Sequence, residues 1–150
     1  TTSLLSAVCW GADLTGADIT EEVLEGTNLT YATLKDTDMT GVYMEATNLE
    51  GANLVGSNLT GAYLEGVKLT KTNLTGADLT KAYLETTDLT GANLTQTNFT
   101  GAFLEGVNLK NADLIDAVIT DTNLDGVKNL NTAILCRTTM PDASINNSGC

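Results

Sequence analysis

The sequence predicts an all-β fold, a four-sided parallel β-helix with a short C-terminal cap. Three observations predict it. From Leu14 to Leu124 every fifth residue is large and apolar, 23 positions in all, of which 18 are Leu and the others Ile19, Met39, Met44, Phe99 and Ile119. Two residues before each of these stands Ala, Thr, Val or Ser, with Glu22 as the exception. Finally, certain surface residues recur every twenty positions and not every five. A period of five matches neither the 3.6 of a helix nor the 2 of a strand. It fits a chain that turns a corner every five residues, so that four sides close a square coil of twenty.

Each position of the side follows from that geometry. The central residue, Leu14 for example, points inward. Side-chain direction alternates along an extended segment, so Ala12 points inward as well and Asp13 points out. Asp or Asn fills 15 of the 23 places before the centre. Gly is common two places after it (Gly16, Gly26, Gly41, Gly61, Gly101), where a corner favours a backbone angle that Gly adopts cheaply. Stacked coils about 4.8 Å apart would make the 23 sides a rod roughly 28 Å long.

Stacking places each residue beside the one twenty further on. One such ladder is Thr20, Thr40, Thr60, Thr80, Thr100, Thr120; a second is Glu25, Glu45, Glu65, Glu85, Glu105, Asp125. Beside the second runs Val23, Tyr43, Tyr63, Tyr83, Phe103. These three ladders support four sides per turn independently of the Leu column.

The tandem Ala-Asp/Asn-Leu units resemble the A(D/N)LXX motif of the pentapeptide-repeat family, and the resemblance covers most of the chain. It implies a right-handed quadrilateral β-helix. It also implies a further reading of function, since some members of that family resemble a DNA duplex in size and charge and bind a topoisomerase such as gyrase in its place. The tail from Leu135 to Cys150 is similar to those of cyanobacterial and chloroplast members. Several of those are exported to the thylakoid lumen or periplasm, which makes such a compartment the expected one and the cytoplasm the alternative.

Along the chain, Leu4 and Cys9 share the register of Leu14, with Thr2 and Ala7 at the small inward place. Cys9 is therefore expected as a buried thiol. Glu22 is expected to reach solvent through a bulge, because a carboxylate is costly to bury. The repeat domain is expected to span residues 1–126. After Leu124 the register fails, since residue 129 is Asn. Residues 127–150 are expected to form a cap, with Leu130, Ile134 and Leu135 as its apolar contacts. Cys136 and Cys150 are expected to form a disulfide that closes it, the alternative being two free thiols in a reducing compartment.

Composition bounds the chemistry. The 150 residues carry 7 basic and 19 acidic side chains, a formal charge of −12. That argues against binding nucleic acid through phosphates and against anionic membranes, and no apolar run is long enough to span a bilayer, so no membrane insertion is expected. The chain has no His, which removes the commonest general base and metal ligand. No nucleophile elbow, phosphate-binding loop or Cys-x-x-Cys is present. No catalytic residue, cofactor or metal site is expected, and the protein is not expected to be an enzyme. The function expected is protein binding or scaffolding, as a monomer or weak dimer, through Tyr43, Tyr63, Tyr83 and Phe103 with Glu45, Glu65, Glu85 and Glu105. A structural or stress-related protein with no fixed partner is the remaining alternative. Like charges stacked in register are destabilising, so the acidic ladder predicts a fold that gains stability as acid neutralises it.

Overall fold

A computed structural model describes residues 7–150. Thr2 and Leu4, expected in the first coil, lie outside the described residues. Parallel bridges join residues twenty apart from Val8↔Asn28 to Asn108↔Lys128, as four ladders on four sides. The alternation of inward and outward residues holds throughout. Leu29, Leu34, Met39 and Met44 are fully buried, as are Ala32 and Val42. The core is thus a column of large side chains with a column of small ones beside it. Each buried Leu contributes about 1.5–3 kcal/mol before ordering costs.

The side around Leu14 shows why the pattern is stable. Buried backbone donors must be paired, and once a coil has another below it each N–H of the side has a place to go. Leu14 N–H donates to Thr33 O at 2.8 Å and Gly16 N–H to Lys35 O at 2.9 Å. Ala17 N–H turns the corner by donating to Leu14 O at 3.0 Å. Thr33 N–H returns to Ala12 O at 2.8 Å, the bond that residue 13 of each later coil repeats. The remaining amide, of Thr15, donates to Asp13 Oδ1 at 3.0 Å, and the Thr15 hydroxyl donates to the same oxygen at 2.7 Å. This is the reason for Asp or Asn before the centre: only a short side chain with an acceptor oxygen reaches the amide two residues on.

Corners adopt the left-handed region. Gly16 has φ 68°, and non-Gly residues take the same place with similar angles, Thr86 at 59° and Lys71 at 57° among them. Inward Thr residues replace Ala without leaving a buried hydroxyl unpaired. Thr47, Thr72, Thr87 and Thr97 donate to Leu24 O, Leu49 O, Leu64 O and Leu74 O, each 23 residues earlier, at 2.7–3.0 Å.

Both ends depart from expectation. Cys9 is half-buried, not buried, like Leu14 and Ile19 on the same coil. No described residue packs below them. Glu22 makes no bulge: Tyr43 N–H donates to Glu22 O at 3.0 Å and the Val23↔Tyr43 bridge is regular. Its side chain stays half-exposed because it belongs to the same end coil.

At the other end the coil continues past residue 126. One extra residue enters at Asn129, which takes φ 59° and leads into a short 3-10 helix, Leu130–Thr132. The ladder then resumes at a spacing of 21, with Asp113↔Ile134 and Val118↔Thr139. Leu135 becomes a core residue, 6% exposed, and Leu130 packs partly against the core. Ile134 does not; it occupies the outward ladder position and is 41% exposed. Strand β1 (Thr138–Thr139) then pairs antiparallel with β2 (Ile145–Asn146), which covers the last edge. Arg137 holds this segment down with two bonds to Asp116, at 2.6 and 2.7 Å. Cys136 and Cys150 are bonded to each other, and Gly149 N–H donates to Leu135 O at 2.8 Å.

Candidate functional site

One side of the coil breaks the Asp/Asn rule. Its position before the centre holds Val23, Tyr43, Tyr63, Tyr83 and Phe103, none of which can accept from the following turn. Rings stacked face to face take the place of those hydrogen bonds. Tyr43 and Tyr63 are 4.5 Å apart at 3°, Tyr63 and Tyr83 4.8 Å apart at 0°, and Tyr83 and Phe103 4.8 Å apart at 6°. The spacing is set by the coil itself, since adjacent strands lie about 4.8 Å apart. Each inner ring covers its neighbours, so Tyr63 and Tyr83 are half-buried and present mainly their edges. Tyr43 and Phe103, at the two ends, are 41% and 48% exposed.

Glu45, Glu65 and Glu105 stand two residues on from their rings and are exposed, and Glu85 is half-exposed. The structure therefore brings all eight expected site residues onto one face, as an aromatic column flanked by a carboxylate column. The Tyr63 phenol, with desolvation and Glu21 as lesser causes, pushes the Tyr43 hydroxyl above its ordinary value of 10.0. The surface offers apolar ring edges beside negative charge; the carboxylates suit cationic groups on a partner and the rings its apolar ones. Among the described residues no three His, Cys, Asp or Glu converge to hold a metal ion. Among them too, no helix is long and apolar enough to cross a membrane.

Two features were not foreseen from the sequence. Asp121 joins Glu85, Glu105 and Asp125 around a groove of about 480 Å³ beside Phe103. Its sequence signal is Asn123, where the aromatic column should have continued. At the opposite end, Trp10 meets Tyr31 edge-on, ring centres 6.2 Å apart, and both are exposed. Neither belongs to the twenty-residue aromatic column, so periodicity gave no reason to pair them.

Comparison with known proteins agrees with this architecture. The family model described as pentapeptide repeats matches residues 7–45, 47–85 and 87–126. Among solved structures the chain is similar to HetL, a pentapeptide repeat protein involved in heterocyst differentiation regulation from the cyanobacterium Nostoc sp. strain PCC 7120. The identity is 29% and the TM-score 0.65, over 94% of this chain and 73% of that one. It is also similar to the pentapeptide repeat protein Rfr23 from the cyanobacterium Cyanothece 51142, at 30% identity and TM-score 0.53, over 84% and 89% of the two chains. A trypsin-treated form of QnrB1, a plasmid-mediated fluoroquinolone resistance protein, shares the fold at 20% identity and TM-score 0.55, over 81% and 76%. No curated protein sequence matches the chain. The coil is the right-handed quadrilateral β-helix of these proteins, and the chain belongs to the pentapeptide-repeat family.

Proposed function

We propose that this protein is a non-enzymatic binding or scaffold module that engages a protein partner through the face of Tyr43, Tyr63, Tyr83 and Phe103 with Glu45, Glu65, Glu85 and Glu105. The observation that carries the reading is the replacement of the Asp/Asn turn lock on this one side by an outward aromatic stack, half-buried at Tyr63 and Tyr83 and exposed at Tyr43 and Phe103. A repeat that needs only stability has a cheaper solution on its other sides. Exposed aromatics in a contiguous strip, rimmed by polar groups, mark binding surfaces. Pentapeptide-repeat proteins are generally structural or binding proteins. Residues 127–150 act in this reading as the cap of the rod. The Cys136–Cys150 disulfide suits an oxidising compartment such as a thylakoid lumen or periplasm.

A second reading draws on charge. A slender rod at −12 has the acidity expected of a protein that stands in for DNA on a topoisomerase. The two readings separate experimentally. Affinity capture from a native extract compares the chain with its Tyr43→Ser/Tyr63→Ser/Tyr83→Ser variant, each confirmed folded by circular dichroism. Loss of a captured protein from the variant alone supports the docking face. Identical capture by both baits contradicts it. Inhibition of gyrase supercoiling that disappears on Glu45→Lys/Glu65→Lys/Glu85→Lys substitution would establish the second reading instead.

A further inference from the structure

The aromatic face comes apart at its C-terminal end. One coil below, the ladder is complete: Phe103 N–H donates to Ala82 O, Leu84 N–H to Phe103 O and Thr86 N–H to Glu105 O, each at 2.9 Å. Twenty residues on, the corresponding bonds are missing among the described residues. Asn123 N–H does not reach Ala102 O, Leu104 N–H does not reach Asn123 O, and Gly106 N–H does not reach Asp125 O. The bridge series Val23↔Tyr43, Tyr43↔Tyr63, Tyr63↔Tyr83, Tyr83↔Phe103 ends there as well. The coils meet again on both sides of the gap, where Gly101 N–H donates to Thr120 O at 3.0 Å and Lys128 N–H to Val107 O at 2.8 Å. Residues 121–125 therefore arch over a short opening whose ends are pinned, and Gly126 lies back over Gly106, where an added Cβ would stand 3.5 Å from Gly106 N.

The sequence accounts for the opening. Asn123 has no ring to set on Phe103, and its Oδ1 is engaged by its own Asp125 N–H at 2.9 Å. Asp125 stands above Glu105 in the carboxylate column, and like charges in register repel. The C-terminal hairpin cannot close the gap, because it covers the sides at Ile134 and Thr139. What remains is the groove of about 480 Å³, lined by the open face of Phe103 and by Glu85, Glu105, Asp121, Asn123 and Asp125.

We propose that this groove receives an extended, lysine- or arginine-rich peptide segment of a partner protein. Its backbone would pair with the free Leu104 N–H and the Ala102 carbonyl, as in strand addition to an open sheet edge. Its cations would meet the four carboxylates, and its apolar side chains the Phe103 ring. Charge complementarity selects this occupant. The same carboxylates oppose a nucleic acid, and no three of them converge on one point as a metal ion would need. The groove shares Phe103, Glu85 and Glu105 with the face described above, yet it does not require the tyrosine stack to dock anything.

Amide exchange measured by NMR on the full chain tests this, with the heptapeptide Lys-Val-Lys-Thr-Lys-Val-Lys as probe and its Glu-for-Lys counterpart as control. In the free protein the Leu104 amide should exchange at least about tenfold faster than that of Leu84, which is ladder-bonded. The basic probe should slow it by about tenfold, and added salt should reverse the effect. The slowing should vanish in Asp121→Lys/Asp125→Lys. It should also vanish in Asn123→Tyr, which continues the ring stack and closes the gap, and should persist in Tyr43→Ser/Tyr63→Ser. Several outcomes overturn the proposal: a free Leu104 amide as slow as that of Leu84, no slowing with the basic probe, equal slowing with the acidic one, or slowing that survives Asp121→Lys/Asp125→Lys. Slowing that depends on protein concentration alone overturns it too, since it makes a second copy of the chain the occupant. Loss in Tyr43→Ser/Tyr63→Ser alone would return the binding to the tyrosine stack.

Discussion

At the residue scale, the Asp/Asn–Leu–Thr triplet is a self-contained lock, and its failures are as informative as its successes. Thr80 donates from both its amide and its hydroxyl to Asp78 Oδ1, and its oxygen accepts from Asn98 Nδ2 at 3.0 Å. Thr70 follows Lys68, which offers no acceptor at that place, and its hydroxyl is buried and unpaired. The two threonines should therefore respond oppositely to the same change. Thr80→Val should cost about 1 kcal/mol, and Thr70→Val should gain up to about 1 kcal/mol by removing an unsatisfied hydroxyl. Urea titration of both variants measures this, and equal losses would show that the turn lock does not set the balance. The sequence displayed the excess of Asp and Asn plainly. It did not display their task, because that task depends on which backbone amide the corner leaves unpaired.

At the scale of elements, the repeat was legible and the tail only in part: the Cys136–Cys150 link and the contact of Leu135 were readable, the path of the chain between them and the coil was not. Twenty-three Leu-type positions in step, with ladders at twenty, leave little freedom in how the middle folds. The single residue inserted at Asn129 hides the continuation, since it moves the next ladder partners from a spacing of 20 to one of 21. Counted at the old spacing, Leu135 is out of phase; counted at the new one, it stands above Leu114 in the core. Ile134 is apolar yet outward for the same reason. The groove beside Phe103 was half legible: Asn123 visibly ends the aromatic column, but only coordinates show the backbone parting there. The tail is held by one covalent link around a 14-residue separation. Cys136→Ser should destabilise it by about 3 kcal/mol in the chain-entropy model. Amide exchange should locate that loss at residues 134–150, with the Leu column up to Leu94 little affected; uniform loss along the rod would contradict a local cap.

Acid acts on the tail and on the turn locks in one direction. The Asp116 carboxyl lies below its ordinary 3.8 because Arg137 donates hydrogen bonds to it, and Asp142 does so because of Ser144. Asp13 and Asp18 are lowered by the hydroxyls and amides of Thr15 and Thr20, and Glu50 by Lys68. A carboxylate whose folded value is depressed stabilises the fold above its unfolded value and loses that contribution as pH falls through the folded one. Stability should therefore decline below the ordinary values of 3.8 and 4.5. Urea midpoints taken from pH 6 down to about 2.5 should fall most steeply below pH 4. A midpoint that rises throughout would mean that ladder repulsion outweighs the turn locks and the Arg137 anchor.

At the scale of the whole molecule, a solenoid of this kind adds its stability side by side, neighbour to neighbour. Three faces are fastened by Asp and Asn, and the fourth by rings whose edges remain in solvent. That division lets one surface differ from the others without disturbing the coil, which is how a smooth convex rod can present a specific face. The most direct measurement of the claim compares two baits of equal fold in capture from one extract. Tyr63→Ser/Tyr83→Ser alters the aromatic face, and Asn73→Ser/Asn93→Ser alters the opposite one. The partner should be lost from the first and kept by the second. If both baits keep it, or both lose it alike, the aromatic face is a structural stack and the binding surface lies elsewhere.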